Sequence, residues 1–135
     1  MFKLVGVVGS GQMGNGITQV AASVGFKVIM MDVSSAAVQK ALSTIGSSCD
    51  RLIKKEKMTA EAKKALLGNI TTATDVSALK DCDIVIEAAT ENIDLKLKIF
   101  KSLDDAVKKD AILVSNTSSI SITKIAAATS RPEKV

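Results

Sequence analysis

The run Gly9-Ser10-Gly11-Gln12-Met13-Gly14 follows directly on the apolar stretch Leu4-Val5-Gly6-Val7-Val8, and Asp32 closes the next apolar stretch, Phe26-Lys27-Val28-Ile29-Met30-Met31. Strand, glycine turn, helix, second strand and terminal carboxylate within about 30 residues make the fingerprint of a dinucleotide-binding βαβ unit. Each glycine has a separate task. Gly9 lets the chain turn tightly out of the strand, Gly11 lets backbone approach a pyrophosphate, and Gly14 lets the following helix pack close to the sheet. Gln12 and Met13 belong to the same turn, where the unpaired amides and positive dipole end of the helix face the phosphates.

Asp32 lies 18 positions beyond Gly14, the spacing at which a carboxylate accepts the hydroxyls of the adenosine ribose. A 2′-phosphate would instead require a cation, yet Val33, Ser34 and Ser35 follow and the first later cation is Lys40. The pattern therefore favours NAD over NADP. The plainer alternative is a turn aspartate that caps the next helix.

With 135 residues, 47% of them hydrophobic, the chain suits one domain with a substantial core. The net charge of +4 is modest and its three aromatic residues offer little for base stacking, which disfavours nucleic acid as a partner. Cys49 and Cys82 are isolated and histidine is absent, so neither a zinc site nor a disulfide framework is expected. A reducing cytoplasm fits. No apolar run reaches the roughly 18 residues of a membrane span, and the first apolar stretch breaks too early for a signal peptide.

Periodicity gives the rest of the order. Strand 3–8, helix 13–24 and strand 26–32 form the first unit, with Gly25 as the helix stop. Val38, Leu42, Ile45, Cys49 and Leu52 recur at helical spacing, predicting one long helix from Ser34 or Ser35 to about Lys57, and Thr59 opens a second that stops at Gly68-Asn69. Strands are expected at 70–73, 83–87 and 111–115, with helices at 95–107 and 121–128 and a turn at Arg131-Pro132. Leu95, Ile99, Leu103 and Val107 mark the expected buried side of the fourth long helix. The fold class is α/β, a doubly wound Rossmann parallel sheet of order 3-2-1-4-5. Asp32 to Ile70 spans 38 positions, far more than the roughly 12 a crossover needs, so a helical hairpin at about 34–69 is read as an insertion.

Candidate chemistry lies on that hairpin and at the carboxyl ends of the strands. Ser48, Arg51 and Lys55 share a helix face, and residues 51 to 57 carry four cations against one anion. This is either a solvated face or a landing strip for a phosphate-bearing substrate. Ala88 and Ala89 follow the fourth strand and can line a nicotinamide pocket. Asn116, Thr117, Ser118 and Ser119 follow the fifth, either orienting substrate or serving as a turn and helix cap.

The glycine loop, Asp32, Arg51-Leu52-Ile53-Lys54-Lys55, Asp83-Ile84-Val85-Ile86-Glu87-Ala88, Glu91-Asn92 and Ser115-Asn116-Thr117-Ser118-Ser119-Ile120-Ser121-Ile122-Thr123 together resemble the 3-hydroxyacyl-CoA dehydrogenase family, and the resemblance covers essentially the whole chain. It implies an NAD-dependent oxidoreductase that interconverts short-chain 3-hydroxyacyl-CoA, such as 3-hydroxybutyryl-CoA, and 3-oxoacyl-CoA. It implies further that Asp32 holds the adenosine ribose, that Ala89, Glu91 and Lys96 lie near the nicotinamide end, and that Asn116 and Ser118 line the reacting centre as its catalytic candidates. Ser118 would bond the substrate's 3-oxygen and Asn116 would also touch the cofactor. Ser48 and Lys55 match positions that contact coenzyme A, with Arg51 standing where some members have lysine.

One departure is decisive. The family's general base is a histidine in a segment after the sixth strand, and this chain has none. The resemblance thus implies that residues 1–135 are the NAD-binding domain of a longer homodimeric enzyme, whose helical C-terminal domain supplies further site residues and the dimer contact. The competing reading is a stand-alone nucleotide-binding module without turnover. A dehydrogenase of hydroxy acids not bound to coenzyme A would share the glycine loop but have no use for Arg51 and Lys55.

Overall fold

The computed structural model describes residues 3–88, 92–115 and 129–131. Five parallel strands, β1 (Leu4–Val8), β2 (Lys27–Met31), β3 (Ile70–Ala73), β4 (Ile84–Glu87) and β5 (Ile112–Ser115), form one sheet of order β3-β2-β1-β4-β5. This is the expected doubly wound order. Helix α1 (Gln12–Ser23) joins β1 to β2, and α2 (Ser35–Lys54) and α3 (Ala60–Gly68) lie between β2 and β3. A 3-10 turn at Val76–Leu79, which the sequence pattern did not reveal, leads to β4, and α4 (Ile93–Ala106) joins β4 to β5. The helix expected at 121–128 lies outside the described residues.

Each face of the sheet carries its own apolar core, because successive side chains of a strand point to opposite faces. Val5, Val7, Val28 and Met30 pack beneath α1, α2 and α3 with Ala22, Ala41, Ile45, Cys49 and Leu66. Val8, Met31, Val85 and Leu113 pack on the other face with Leu79, Phe100, Leu103 and Val107. Side-chain caps start the helices: Ser34 accepts from the Ala37 amide at 3.2 Å, Thr59 from Ala62 at 3.1 Å and Asn92 from Leu95 at 3.0 Å. Since Ser34 caps α2, Asp32 has no part in starting that helix.

On α4 the buried stripe differs from the expected one. Leu103 and Val107 are buried as expected, but Leu95 is 49% exposed, and Lys96 and Phe100 are fully buried in its place. The helix turns its lysine inward because a carboxylate on β4 waits for it, and this rotates Leu95 toward the rim of the cleft.

Two charged clusters close the amino-terminal edge of the sheet. The Asp83 carboxylate accepts from the amides of Lys3 and Leu4 at 2.8 and 3.0 Å and from Lys108 Nζ at 2.6 Å. The Lys108 bond, followed by the two amides, holds the Asp83 carboxyl well below the usual carboxylate range, and the same bond raises Lys108. Arg131 is buried and acts as a cap for α4. Its guanidinium donates to the carbonyls of Asp104, Val107, Lys108 and Ala111 and, through Nε, to the Asp104 carboxylate at 2.8 Å. A fixed planar fork suits a ring of carbonyls at a helix end, where the dipole also favours a cation.

Candidate functional site

The site is built where β1 and β2 end. Gly9 sits at φ 105 and donates to the Met31 carbonyl at 2.7 Å, a turn that a side chain at this position would strain. Three residues into α1, a Cβ on Gly14 would fall on the Gly9 carbonyl oxygen, so only glycine lets helix and loop approach this closely. At Gly11 the reverse holds: nothing lies within 4 Å of a built Cβ, and the backbone is open to a ligand. Helix α1 starts at Gly11 with no side-chain cap and no acidic residue in its first turn. The first-turn amides are thereby left for an external anion, and an adjoining glycine cradle fits a pyrophosphate.

Asp32 follows directly on β2, beside this loop. Its Oδ2 accepts from the Ser10 amide at 3.0 Å and the Ser10 hydroxyl at 2.8 Å. No described residue donates to Oδ1, which leaves that oxygen for a ribose hydroxyl. Ser10, to which the sequence pattern assigns no role, is the residue that aims the carboxylate.

Two cavities flank Asp32. One, of about 470 Å³, is lined by Val8, Gly9, Met31, Val33, Leu95 and Ile99 among others. Val33 and Leu95 are 87% and 49% exposed, and large apolar side chains held open at a cleft rim suit a flat apolar ring such as adenine. Nothing in the sequence pattern signals this role for Leu95, which hydropathy places on the buried stripe. The second cavity, also about 470 Å³, lies between Ser10, Gly11, Gln12 and Asn15 on one side and Ala37, Lys40, Ala41 and Thr44 of α2 on the other. It brings Lys40, eight positions from Asp32 in the chain, to the same cavity as the carboxylate, because α2 folds back over the glycine loop.

At the ends of β4 and β5, Glu87 and Ser115 are register partners. Lys96 reaches them from α4, its Nζ 2.6 Å from Glu87 Oε1 and 2.9 Å from Ser115 Oγ, while Ser115 donates to Glu87 at 3.0 Å. Lys96 and Glu87 are wholly buried. Lys96 is thus placed under the strand ends that an outstretched dinucleotide would cover. Ala89, Glu91, Asn116 and Ser118 lie outside the described residues.

On α2, Ser48 accepts from Gln19 Nε2 at 3.0 Å, which ties this helix to α1, and Arg51 and Lys55 are exposed beyond it. Lys55 is the C-cap, and Glu56 follows in the left-handed region at φ 59. Arg51 and Lys54 in the last turn also complement the helix dipole. The Lys63 to Asp50 bridge at 2.7 Å joins α3 to α2.

The family model described as "3-hydroxyacyl-CoA dehydrogenase, NAD binding domain" matches residues 4–135. The chain belongs to this family of NAD-binding domains. It is 48% identical over 134 residues to the 3-hydroxybutyryl-CoA dehydrogenase of Bradyrhizobium diazoefficiens, covering 99% of this chain and 46% of that protein. The corresponding protein of Clostridioides difficile is 41% identical, over 96% of this chain and 46% of its own length. Among solved structures, the (S)-3-hydroxybutyryl-CoA dehydrogenase of Ralstonia eutropha superposes with a TM-score of 0.97 at 56% identity, over 99% of this chain and 47% of that one. The chain thus spans about half the length of the relatives it matches. No helix among the described residues of this NAD-binding domain is long and apolar enough to cross a membrane.

Proposed function

We propose that this chain is the cofactor-binding part of a cytoplasmic enzyme that interconverts short-chain 3-hydroxyacyl-CoA and 3-oxoacyl-CoA. The observation that carries the reading is the conjunction of a dinucleotide cleft with a cationic helix beside it: Gly9 to Gly14 and Asp32 on one side, Ser48, Arg51 and Lys55 of α2 on the other. The dinucleotide, when bound, supplies the hydride acceptor or donor. The chain's own residues do the holding. The loop amides bind the pyrophosphate, Asp32 orients the ribose, and Val33 and Leu95 enclose the adenine. Lys96, fixed by Glu87 and Ser115, underlies the nicotinamide half, which Ala89 and Glu91 flank. Ser118 holds the substrate 3-oxygen with Asn116 beside it, and Ser48, Arg51 and Lys55 take the phosphates of coenzyme A on the hairpin.

The residues that complete the reaction belong to the remaining length of the longer protein. An apolar groove of about 630 Å³ lies along α1 and the sheet, lined by Met13, Val20, Val24, Phe26, Ile84 and Ile86 among others, with Met13, Val20 and Val24 more than half exposed. Such a groove is suited to a further domain of the same protein, which would also provide the homodimer contact. Without a histidine, these 135 residues alone fit a nucleotide-binding module that does not turn over. The test is NADH oxidation with acetoacetyl-CoA by the longer protein. Activity lost on removal of the coenzyme A moiety supports the reading; equal activity on the free oxo acid overturns it.

A further inference from the structure

We propose that Glu87, by cancelling the charge of Lys96 beneath the nicotinamide half of the cleft, sets the balance of affinity between the oxidised and the reduced dinucleotide. The inference rests on the dinucleotide reading above and adds to it how the site treats the two redox states.

The sheet order places the pair. From β1 the chain proceeds outward to β2 and β3, whereas β4 and β5 lie on the opposite side of β1, and the ligand crevice of an open α/β sheet lies at such a reversal. Glu87 is the register partner of Val8, the residue before Gly9, and of Ser115 on β5. It therefore stands about one strand spacing, roughly 5 Å, from the end of β1. Asp32 occupies the other side of the glycine loop, at the end of β2. A dinucleotide with its adenosine ribose at Asp32 and its pyrophosphate on the loop extends its second half over β4 and β5.

That half changes charge in the reaction, since the nicotinamide ring is positive in NAD+ and neutral in NADH. A lone ammonium below the ring would repel NAD+ and leave NADH unaffected, while a lone carboxylate would favour NAD+. Burial makes such an effect large, because charges removed from water act through a low dielectric. Lys96 and Glu87 meet at 2.6 Å with no side-chain surface exposed. The Ser115 hydroxyl accepts from Lys96 at 2.9 Å and donates to Glu87 at 3.0 Å, which fixes both groups without adding charge. Asp94 and Lys98 of the same helix are exposed, so water and salt screen them. The buried pair is neutral as a unit, and the cleft accepts both redox states. This suits a reversible hydride transfer, in which NAD+ and NADH are each bound in turn. Glu87 itself touches no ligand and acts through the charge it cancels.

The test measures the affinities of NAD+ and NADH on the 135-residue chain, NADH by its fluorescence and NAD+ by displacement of NADH. Their ratio is taken within each variant, so that a general loss of binding cancels. Lys96→Met leaves the carboxylate alone and should move the ratio toward NAD+ by about tenfold or more, and Glu87→Gln leaves the ammonium alone and should move it as far toward NADH. A tenfold change corresponds to about 30 mV in the midpoint of the bound two-electron couple. The double variant, Lys96→Met with Glu87→Gln, should return to within about threefold of wild type. A merely structural role weakens both redox states alike, so a ratio unchanged in either folded single variant, or moved the same way by both, overturns the proposal. Should Lys96→Met fail to fold, Glu87→Gln decides by the sign of its shift, because it keeps the shape of Glu87 and an acceptor for Lys96. ADP-ribose, which lacks the nicotinamide, should bind wild type more weakly than NADH does. Equal affinity would mean that the ring is not held over β4 and β5, and overturns the proposal while leaving the dinucleotide reading intact. Wild type that binds neither NADH nor ADP-ribose sinks that reading instead.

Discussion

Lys96 and Glu87 meet at 2.6 Å with neither side chain reaching solvent. Desolvating two charges offsets most of what their attraction returns, so such a pair contributes little net stability, yet losing one member strands the other. Lys96→Met alone should therefore destabilise the domain by about 3–5 kcal/mol, and Glu87→Met with Lys96→Met together by less than the sum of the two single changes. Urea unfolding of the three variants gives the coupling; additive losses would mean that the two groups act independently.

Gly14 and Gly16 are two residues apart on α1 and should respond oppositely to alanine. At Gly14 the methyl group would be driven into the Gly9 carbonyl, whereas at Gly16 nothing lies within 4 Å. Gly16→Ala should stabilise the chain by up to about 1 kcal/mol through helix propensity. Gly14→Ala should cost about 1–3 kcal/mol or more through overpacking and weaken NADH binding at least tenfold, because it displaces the loop. Thermal melts and NADH titrations of the pair distinguish the two positions.

The pH profile of stability follows from Asp83, Asp104 and Lys108. The Lys108 bond and the Lys3 and Leu4 amides depress Asp83. Burial opposes ionisation of Asp104, but the bonds from Ser130 and Arg131 outweigh it and depress this carboxyl as well. A depressed carboxyl contributes its full stability above the unfolded value of about 3.9 and loses it as pH falls through the folded value. The raised Lys108 contributes fully below about 10.4 and loses its share as pH rises through its folded value. The melting temperature should thus decline below about pH 4 and again above about pH 10. Asp83→Asn should lower it at neutral pH and flatten the acid limb. An acid limb unchanged in that variant would place the dependence elsewhere.

Replacing both Arg51 and Lys55 by alanine in the longer protein should raise KM for acyl-CoA severalfold, with NADH affinity and melting temperature little changed, since exposed cations contribute little to folding. An unchanged KM at low ionic strength would return this face to a solvated helix end. The 135-residue chain should bind NADH yet oxidise it with acetoacetyl-CoA at least about 10²-fold more slowly than the longer protein, for want of a general base. Rates within tenfold would mean that Ser118 and its neighbours suffice.

Sheet order, the glycine turn and the place of Asp32 at the end of β2 are legible because each is written locally: apolar runs bounded by glycine, then an acid at a fixed offset. The α4 stripe is not. Leu95, Ile99 and Lys96, Phe100 are adjacent stripes on one helix, and hydropathy chooses the one without a charge; the choice reverses only because Glu87 approaches from a strand nine residues earlier. Ser10 escaped notice for a similar reason, as its partner Asp32 is 22 residues away. Lys40, eight positions beyond Asp32, lines the same cavity only because α2 folds back over the loop. Arg131 read as part of a turn because the carbonyls it binds come from residues 104–111, which no local pattern connects to it.

That guanidinium gives the domain a mechanical property. Its bonds to Asp104, Val107, Lys108 and Ala111 radiate from one planar group, so tension applied through the carboxyl end loads them side by side rather than in succession. A fastening of that kind does not unzip. It would hold until several bonds part together, and under force the end of α4 and the start of β5 should come away as a single step.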